Sequence, residues 1–524
     1  MSIKSKKPNI FFIICDELRA DTLGYAGDSI VKTPFIDALS KDSIIFENAY
    51  CASPMCVPSR VSIATGRHPM SHGALDNSFT PLEDEKSLFN SFQDYGYNTV
   101  SFGKWHTNKP AEKWGWNYNK SGNEGLSAQV TCFGVTDPEL RSRSSYKKNE
   151  GLLSLIIHGI NGLKEEETMD SINTGRYLQS IEKLNESSPP SFYRLSLWDP
   201  HSPYFPIKKY SDLYASESVR LPENWRPDYS QKPQIQEFFY RARGFHHLSE
   251  EDYQKAKASY YGLISHNDDR VGRVIQKLKD KNLYDDSIII FTSDHGAMMG
   301  EQGSIEKWGH LYEPVVRIPL LIKLPGQKFG NTRKSSFTEN VDLLPSLLDL
   351  VGIEIPENLH GKSLVPYINQ KNDFHKDSVF STYISHAIMD QPAFMIRHKN
   401  WKYTYYGEQS LLESKLPRDH FLRNSEFFDR NPIIGELYDL NQDPEENDNL
   451  FNNPKYKEVQ EDLSQRLEIW LEELGKTVEI KSTINEPTPW SDFRLQLEGN
   501  FLTELSKVYP NIQRNANVSL KRKP

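Results

Sequence analysis

The chain has 524 residues and a net charge of -9, with 37% hydrophobic and 25% charged residues. That balance suits a globular protein with ample core and gives no overall electrostatic reason to bind nucleic acid. No apolar run reaches the length of a membrane span, so neither nucleic acid nor a membrane is expected as a partner.

At this length the chain exceeds a single average domain and suits a large α/β unit with a smaller appendage. Cys15, Cys51, Cys56 and Cys132 are too few and too irregular for a disulfide framework, and they lack the paired spacing of a zinc site. The N-terminus has a basic start and a short apolar run that leads straight into acids without a small-residue cleavage site. It reads as a first strand, and the protein as cytoplasmic.

Residues 9–15 form a continuous apolar run, as in a strand buried on both faces of a parallel sheet. The run ends at Asp16 and Glu17, on the strand edge where open α/β sheets bind ligands. Thr33, as N-cap, and Pro34, at the first helical position, open a helical pattern through Phe35, Ile36 and Leu39. The pentapeptide CVPSR at 56–60 places a cysteine two residues before a proline that fits the first turn of a helix running through Val61 and Ala64. A helix over 85–94 precedes a strand over 99–102 that delivers Gly103-Lys104-Trp105-His106. A strand over 192–198 ends in Asp199-Pro200-His201. An amphipathic helix over 250–279 leads to a strand over 287–292, which ends in Ser293-Asp294-His295-Gly296. Four times an apolar strand runs into ionisable residues.

Strand and helix alternate again through RIPLLIKLPG and a helix around 341–351. After about residue 370 the pattern changes to a half-buried strand over 400–406 and a helix over 456–474. The chain therefore divides into an α/β domain over 1–370, with a large central, mostly parallel sheet flanked by helices, and a smaller α+β subdomain over 371–524 with an antiparallel sheet and a packed helix. Segments 107–165 and 205–245, rich in aromatic and basic residues without clear periodicity, read as loops over the active edge. The tail ending SLKRKP reads as frayed.

Taken in order, PNIFFIICDELRADTLGYAG, CVPSR with TGRHP, GKWH, DPHSPY, SDHGAMMGEQG, KWGHLYEPVVRIPLLIKLPG, VDLLPSLLDLVGI and ELYDLNQDPEENDNL resemble the type I sulfatase family of the alkaline-phosphatase superfamily. The resemblance implies a sulfuric ester hydrolase in which Cys56 is oxidised to formylglycine by a formylglycine-generating enzyme and its hydrate is the nucleophile. It implies one divalent metal ion held by Asp16, Glu17, Asp294 and His295 with residue 56. Calcium is the first choice for that oxygen-rich set, with magnesium or manganese next. Relatives commonly carry Asp, Gln or Asn where Glu17 stands.

The same resemblance implies that Arg60, Lys104 and Lys307 hold the sulfate, that His201 and Lys307 donate a proton to the leaving alcohol, and that His106 takes one from the remaining hydroxyl. Asn77 would point its amide at the pocket, and His310 competes with Lys307 for its role. The implied substrate is a sulfated small molecule or carbohydrate. A phosphonate monoester or phosphodiester hydrolase on the same scaffold is the alternative, and an inactive sulfatase-like binding protein a second. Phosphonate-type relatives place tyrosine and threonine where this chain has Lys104 and His106, and no residue of the nucleophile, metal or leaving-group set is missing here.

Overall fold

A computed structural model describes residues 7–77, 81, 85–107, 111–116, 118–120, 157–307, 309–370, 374–386, 389–407 and 433–474. Cys132, most of the 107–165 segment and the C-terminal tail lie outside them.

The IFFIIC run forms strand β1 (Ile10–Cys15), every residue of it buried. Its even-numbered side chains join one core and its odd-numbered ones a second, because successive residues of a strand face opposite sides. An alternating polar pattern would have exposed one face, and a continuous apolar run closes both.

Around β1 lies an eight-stranded sheet. Its other members are β2 (Ile44–Phe46), β3 (Asn98–Gly103), β4 (Tyr118–Lys120), β5 (Ser191–Leu197), β6 (Ile288–Ser293), β7 (Leu320–Lys323) and β8 (Thr332–Lys334). The order is β8-β2-β7-β6-β1-β5-β3-β4, and only β7 runs against the rest. The four strands expected to end in ionisable residues, β6, β1, β5 and β3, are therefore consecutive and parallel. Cys15 pairs with both Leu197 and Ser293, so their carboxyl ends stop at one level.

Helix α1 (Pro34–Lys41) buries Ile36 and Leu39 on the odd-residue face. Thr33 stands at its N-cap position, but its hydroxyl donates to Asp37 (3.0 Å), accepts from the Gly24 amide (2.9 Å) and caps no amide of α1. The orphan amides of Phe35 and Ile36 are instead taken by Asp268 (3.1 and 2.7 Å), an acceptor 232 residues away that local sequence could not reveal. On the other face lies α2 (Cys56–Thr65), with Val57, Val61, Ile63 and Ala64 in the even-residue core. Helix α3 (Met169–Glu182) and the 31-residue α4 (Glu250–Asp280) cover the odd-residue face, α4 opened by a capping box on Ser249. Helix α5 (Leu343–Leu350) is shorter than its 341–351 pattern because a 3-10 turn, Asn340–Asp342, takes its start.

The C-terminal part holds a four-stranded antiparallel sheet: β9 (Ser378–His386), β10 (Met389–His398), β11 (Trp401–Tyr406) and β12 (Gly435–Asp439). Helix α6 (Lys457–Glu473) packs Leu463, Leu467, Trp470 and Leu471 on this sheet, in a core shared with Met70 and Leu75 beyond α2. The 205–245 segment, read as loop, contains a nine-residue helix, Gln234–Ala242. Ile235, Phe238 and Phe239 carry its i, i+3, i+4 core face, a pattern too short to stand out among flanking aromatics.

Gly103 closes β3 with φ +85°, and a Cβ there would lie 1.9 Å from the Ser196 carbonyl oxygen. Strand β3 can approach β5 at this level only without a side chain. Gly103→Ala should therefore cost at least about 2 kcal/mol of unfolding free energy, measured by urea denaturation; an unchanged midpoint would contradict the close approach.

Candidate active site

The sheet's carboxyl edge and the head of α2 meet at one buried point. Ala49–Tyr50 pairs with Arg317–Ile318 and with Thr338–Glu339 in a small sheet, from which residues 51–55 deliver Cys56 to the first position of α2. Met55, at the N-cap position, offers no side-chain cap, and the Val57 amide goes instead to Oδ1 of Asn77 (3.0 Å). Asn77 thus helps cap the start of the helix that carries the cysteine.

Asp16, Glu17, Asp294 and His295 are each fully buried (0% exposed). Ligand atoms of Asp16, Cys56, Asp294 and His295 all lie within 4.8 Å of one another. His295 Nδ1 faces the Gly296 carbonyl (3.0 Å), a contact that puts a ring proton there and turns Nε2 towards the cluster. Burial opposes its charge, but Asp294 and Cys56 outweigh that and raise its pKa. Nε2 lies 3.3 Å from the Cys56 sulfur and 3.8 Å from both Asp16 and Asp294. Glu17 sits in the left-handed region (φ 65°), uncommon for a non-glycine residue. Its amide donates to Asp294 (3.1 Å), and its carbonyl accepts from Tyr260 (2.7 Å). Oε1 of Glu17 is buried without a hydrogen-bond partner. Three carboxylates, one of them with that unpartnered oxygen, and an imidazole nitrogen fit a divalent cation.

Arg60, one turn into α2, ties the acids together. Its Nε donates to Asp294 (2.8 Å), one terminal nitrogen to Asp16 (3.0 Å), and the other to the Ser196 hydroxyl and the Lys104 carbonyl (2.8 and 3.3 Å). Burial works against its charge, yet Asp294 and Asp16 raise its pKa above the ordinary arginine value. Four of its five N–H groups donate to protein groups, so the fork holds the acids together.

Cations surround Cys56. Nζ of Lys307 lies 3.1 Å and Nζ of Lys104 3.7 Å from its sulfur, and His106 is near enough to interact with it electrostatically. Burial would raise the thiol's pKa, but Lys104, Lys307 and His295 overcome that and hold it well below the usual thiol range. Lys104 also pairs with Asp16, and its ammonium sits over the Trp198 ring at 4.0 Å. Burial lowers the pKa of His106, which favours the neutral ring. For Lys307, burial opposes charge, but Cys56, Glu17 and Asp16 outweigh it and hold the ammonium well above the ordinary lysine value.

His201 completes the group. Its Nδ1 faces the Ser202 carbonyl (2.6 Å), and its Nε2 lies 2.9 Å from Nζ of Lys307. One oxygen of Glu17 serves both, 3.4 Å from Lys307 and 3.5 Å from His201. His310 stands elsewhere, between the rings of Phe239 and Tyr312 (5.7 and 5.8 Å), with neither nitrogen hydrogen-bonded. Burial pushes its pKa down to about 3. Of the two candidates, Lys307 is the one in contact with Cys56.

Several supports went unread in the sequence. Ser59 donates to the Asp294 carbonyl (2.6 Å) and accepts from Asn340 (2.8 Å). Arg194, inside β5, donates to the Lys104 carbonyl (2.7 Å). A charged residue within an otherwise apolar strand was the available signal for Arg194, and none marked Asn340.

A family model named Sulfatase matches residues 8–353, and one named N-sulphoglucosamine sulphohydrolase, C-terminal, matches residues 300–414. The chain belongs to the sulfatase family. It is 29% identical over 473 residues to an arylsulfatase of Clostridium perfringens, covering 86% of this chain and 92% of that one. It is 24% identical over 513 residues to an N-acetylglucosamine-6-O-sulfatase of Bacteroides thetaiotaomicron, covering 89% and 86%. Among solved structures, this sulfatase shares its fold with a protein in complex with its substrate D-glucosamine-2-N,6-O-disulfate. That match has TM-score 0.70 and 20% identity, over 90% of this chain and 98% of the other. A phosphonate monoester hydrolase of Agrobacterium radiobacter also shares the fold, at TM-score 0.69 and 22% identity, over 90% and 96%. No helix among the described residues is long and apolar enough to cross a membrane.

Arg60→Lys isolates the joining role of the fork. Lysine keeps one charge but cannot span Asp16, Asp294 and Ser196 together. The variant should lose about 1.5–3 kcal/mol of stability for each charge-assisted bond not remade, read from urea midpoints. Wild-type stability would show that charge alone suffices.

Proposed function

We propose that this sulfatase hydrolyses a sulfate monoester to an alcohol and inorganic sulfate, with residue 56 as nucleophile after a formylglycine-generating enzyme converts Cys56. The observation that carries the reading is the convergence of Lys104, Lys307 and His106 on Cys56, at the head of α2 and beside three buried acids. A hydrated aldehyde at residue 56 supplies one hydroxyl to attack sulfur and a second whose deprotonation releases sulfate. A divalent cation held by Asp16, Glu17, Asp294 and His295 together with residue 56, calcium before magnesium or manganese, supplies positive charge beside the sulfate oxygens.

The chain's own groups do the rest. Lys104 and Lys307 bind sulfate oxygens and counter the charge that develops on them. The His201–Lys307 pair carries a proton to the departing alcohol oxygen, which otherwise leaves as a strongly basic alkoxide. His106, kept neutral by burial, accepts the proton of the second hydroxyl. Asn77 holds the head of α2 and lies beside the substrate. Residues 1–370 form the catalytic unit, and 371–524 the supporting subdomain. Relatives that include an N-acetylglucosamine-6-O-sulfatase and an ulvan-active sulfatase favour a sulfated carbohydrate.

A phosphonate monoester or diester carries a second organic group in place of one non-bridging oxygen of a sulfate monoester. Lys104, buried against Asp16 and the Trp198 ring, binds that oxygen and leaves no apolar space for such a group. The enzyme should therefore show a higher kcat/KM for 4-nitrophenyl sulfate than for a 4-nitrophenyl phosphonate monoester. Lys104→Ala should remove about 2–4 kcal/mol of transition-state stabilisation from the sulfate reaction and far less from the phosphonate reaction. A wild-type preference for the phosphonate would overturn this reading in favour of the phosphonate hydrolase.

A further inference from the structure

Strand β5 ends at Leu197, and the chain then turns through Trp198, Asp199 and Pro200 to His201. Two amides of this turn, those of Trp198 and Asp199, donate to a single oxygen, Oδ2 of Asp170 in the first turn of α3 (2.8 and 2.9 Å). From α4, Arg270 holds the Asp199 carboxylate (2.7 Å), and Asn267 donates to the Asp199 carbonyl (2.6 Å). Arg270 also bonds Oδ1 of Asn267 (2.7 Å), the Thr168 hydroxyl (3.2 Å) and His266 (3.0 Å). Asp170 and Arg270 are 2% and 1% exposed, so the turn is clamped from two helices by a charged network taken out of water.

Neither Asp170 nor Arg270 has a hydrogen bond or ion pair, among the described residues, with Cys56 or with the four clustered metal-ligand candidates. What the turn does carry is chemistry at both its ends. The Trp198 ring lies under the Lys104 ammonium at 4.0 Å, and His201 Nε2 meets Nζ of Lys307 at 2.9 Å. A buried ion network is rarely worth its desolvation cost for stability alone, whereas a proton donor has to be held within a fraction of an ångström of its target.

We propose that Asp170 and Arg270 are positioning residues that set where His201 meets the leaving oxygen. The inference rests on the sulfatase reading given above. Without the Asp170 carboxylate two buried amides lose their acceptor, and the turn relaxes towards other partners. A shift of about 1 Å at His201 is enough to cost on the order of a hundredfold in rate. The loss should fall on esters whose leaving oxygen needs a proton and should largely spare those whose oxygen is a weak base.

The test compares phenyl sulfate with 4-nitrophenyl sulfate, which share a shape and differ in the basicity of the leaving oxygen. Asp170→Ala should lower kcat/KM for phenyl sulfate at least tenfold more than for 4-nitrophenyl sulfate. Asp170→Asn, which keeps an oxygen where Oδ2 sits, should restore the wild-type ratio between the two substrates. Should thermal denaturation show Asp170→Ala to be unfolded, Arg270→Lys decides, because it keeps the charge but cannot reach Asp199, Asn267 and Thr168 together. It should show the same substrate bias. Equal losses on both esters in the folded variants, or an Asn variant as biased as the Ala variant, would overturn the positioning role and leave the sulfatase reading standing. A wild-type enzyme inactive on both esters would overturn both.

Discussion

The contact on which the site depends is the fork of Arg60 laid across Asp16 and Asp294. Those carboxylates end β1 and β6, neighbouring parallel strands, and the guanidinium rises from the first turns of the helix that begins at Cys56. One planar group therefore fixes the distance between sheet edge and helix head. A lysine could pair with either acid but could not fix both and the Ser196 hydroxyl at once. Two buried carboxylates a few ångströms apart would repel strongly without it, and the same contact offsets that repulsion.

Charge around Cys56 follows from that geometry. Asp16, Glu17 and Asp294 face Arg60, Lys104 and Lys307, three acids against three bases in a space closed to water. The bases divide their work. Arg60 is turned inwards on the acids, whereas Lys104 and Lys307 direct their ammoniums at the sulfur of residue 56. Lys104 and Lys307 would meet an anionic oxygen there, with the acids left to hold a divalent cation. Glu17 is the link between the two halves, with one oxygen on Lys307 and His201 and the other unpartnered. Its longer arm lets a single residue reach both the acid cluster and the His201–Lys307 pair.

Much of this was legible in the chain because it rests on local patterns. The four strands that run into ionisable residues were readable one by one, each from an apolar run with an abrupt polar end. That they are consecutive in the sheet was not, since strand order is set by long crossovers that leave no local trace. Long-range hydrogen bonds were equally hidden. Asp268 caps α1, Asn77 takes the Val57 amide and Asn340 holds Ser59, each an acceptor or donor far along the chain from its partner. The partners of Arg60 were hidden for a related reason: its spacing to Cys56 puts both on one helix end, but only the sheet's position shows which acids the fork reaches. The Gln234–Ala242 helix escaped because nine residues among many aromatics give a weak period.

The central claim is that residue 56 reacts as an aldehyde hydrate and not as the encoded thiol. The direct measurement is peptide mass spectrometry of residue 56 across preparations made with and without a formylglycine-generating enzyme, set against sulfate release by each. Turnover should rise in proportion to the fraction of chains carrying the aldehyde or its hydrate. Full turnover from protein in which Cys56 is wholly unmodified would contradict the account.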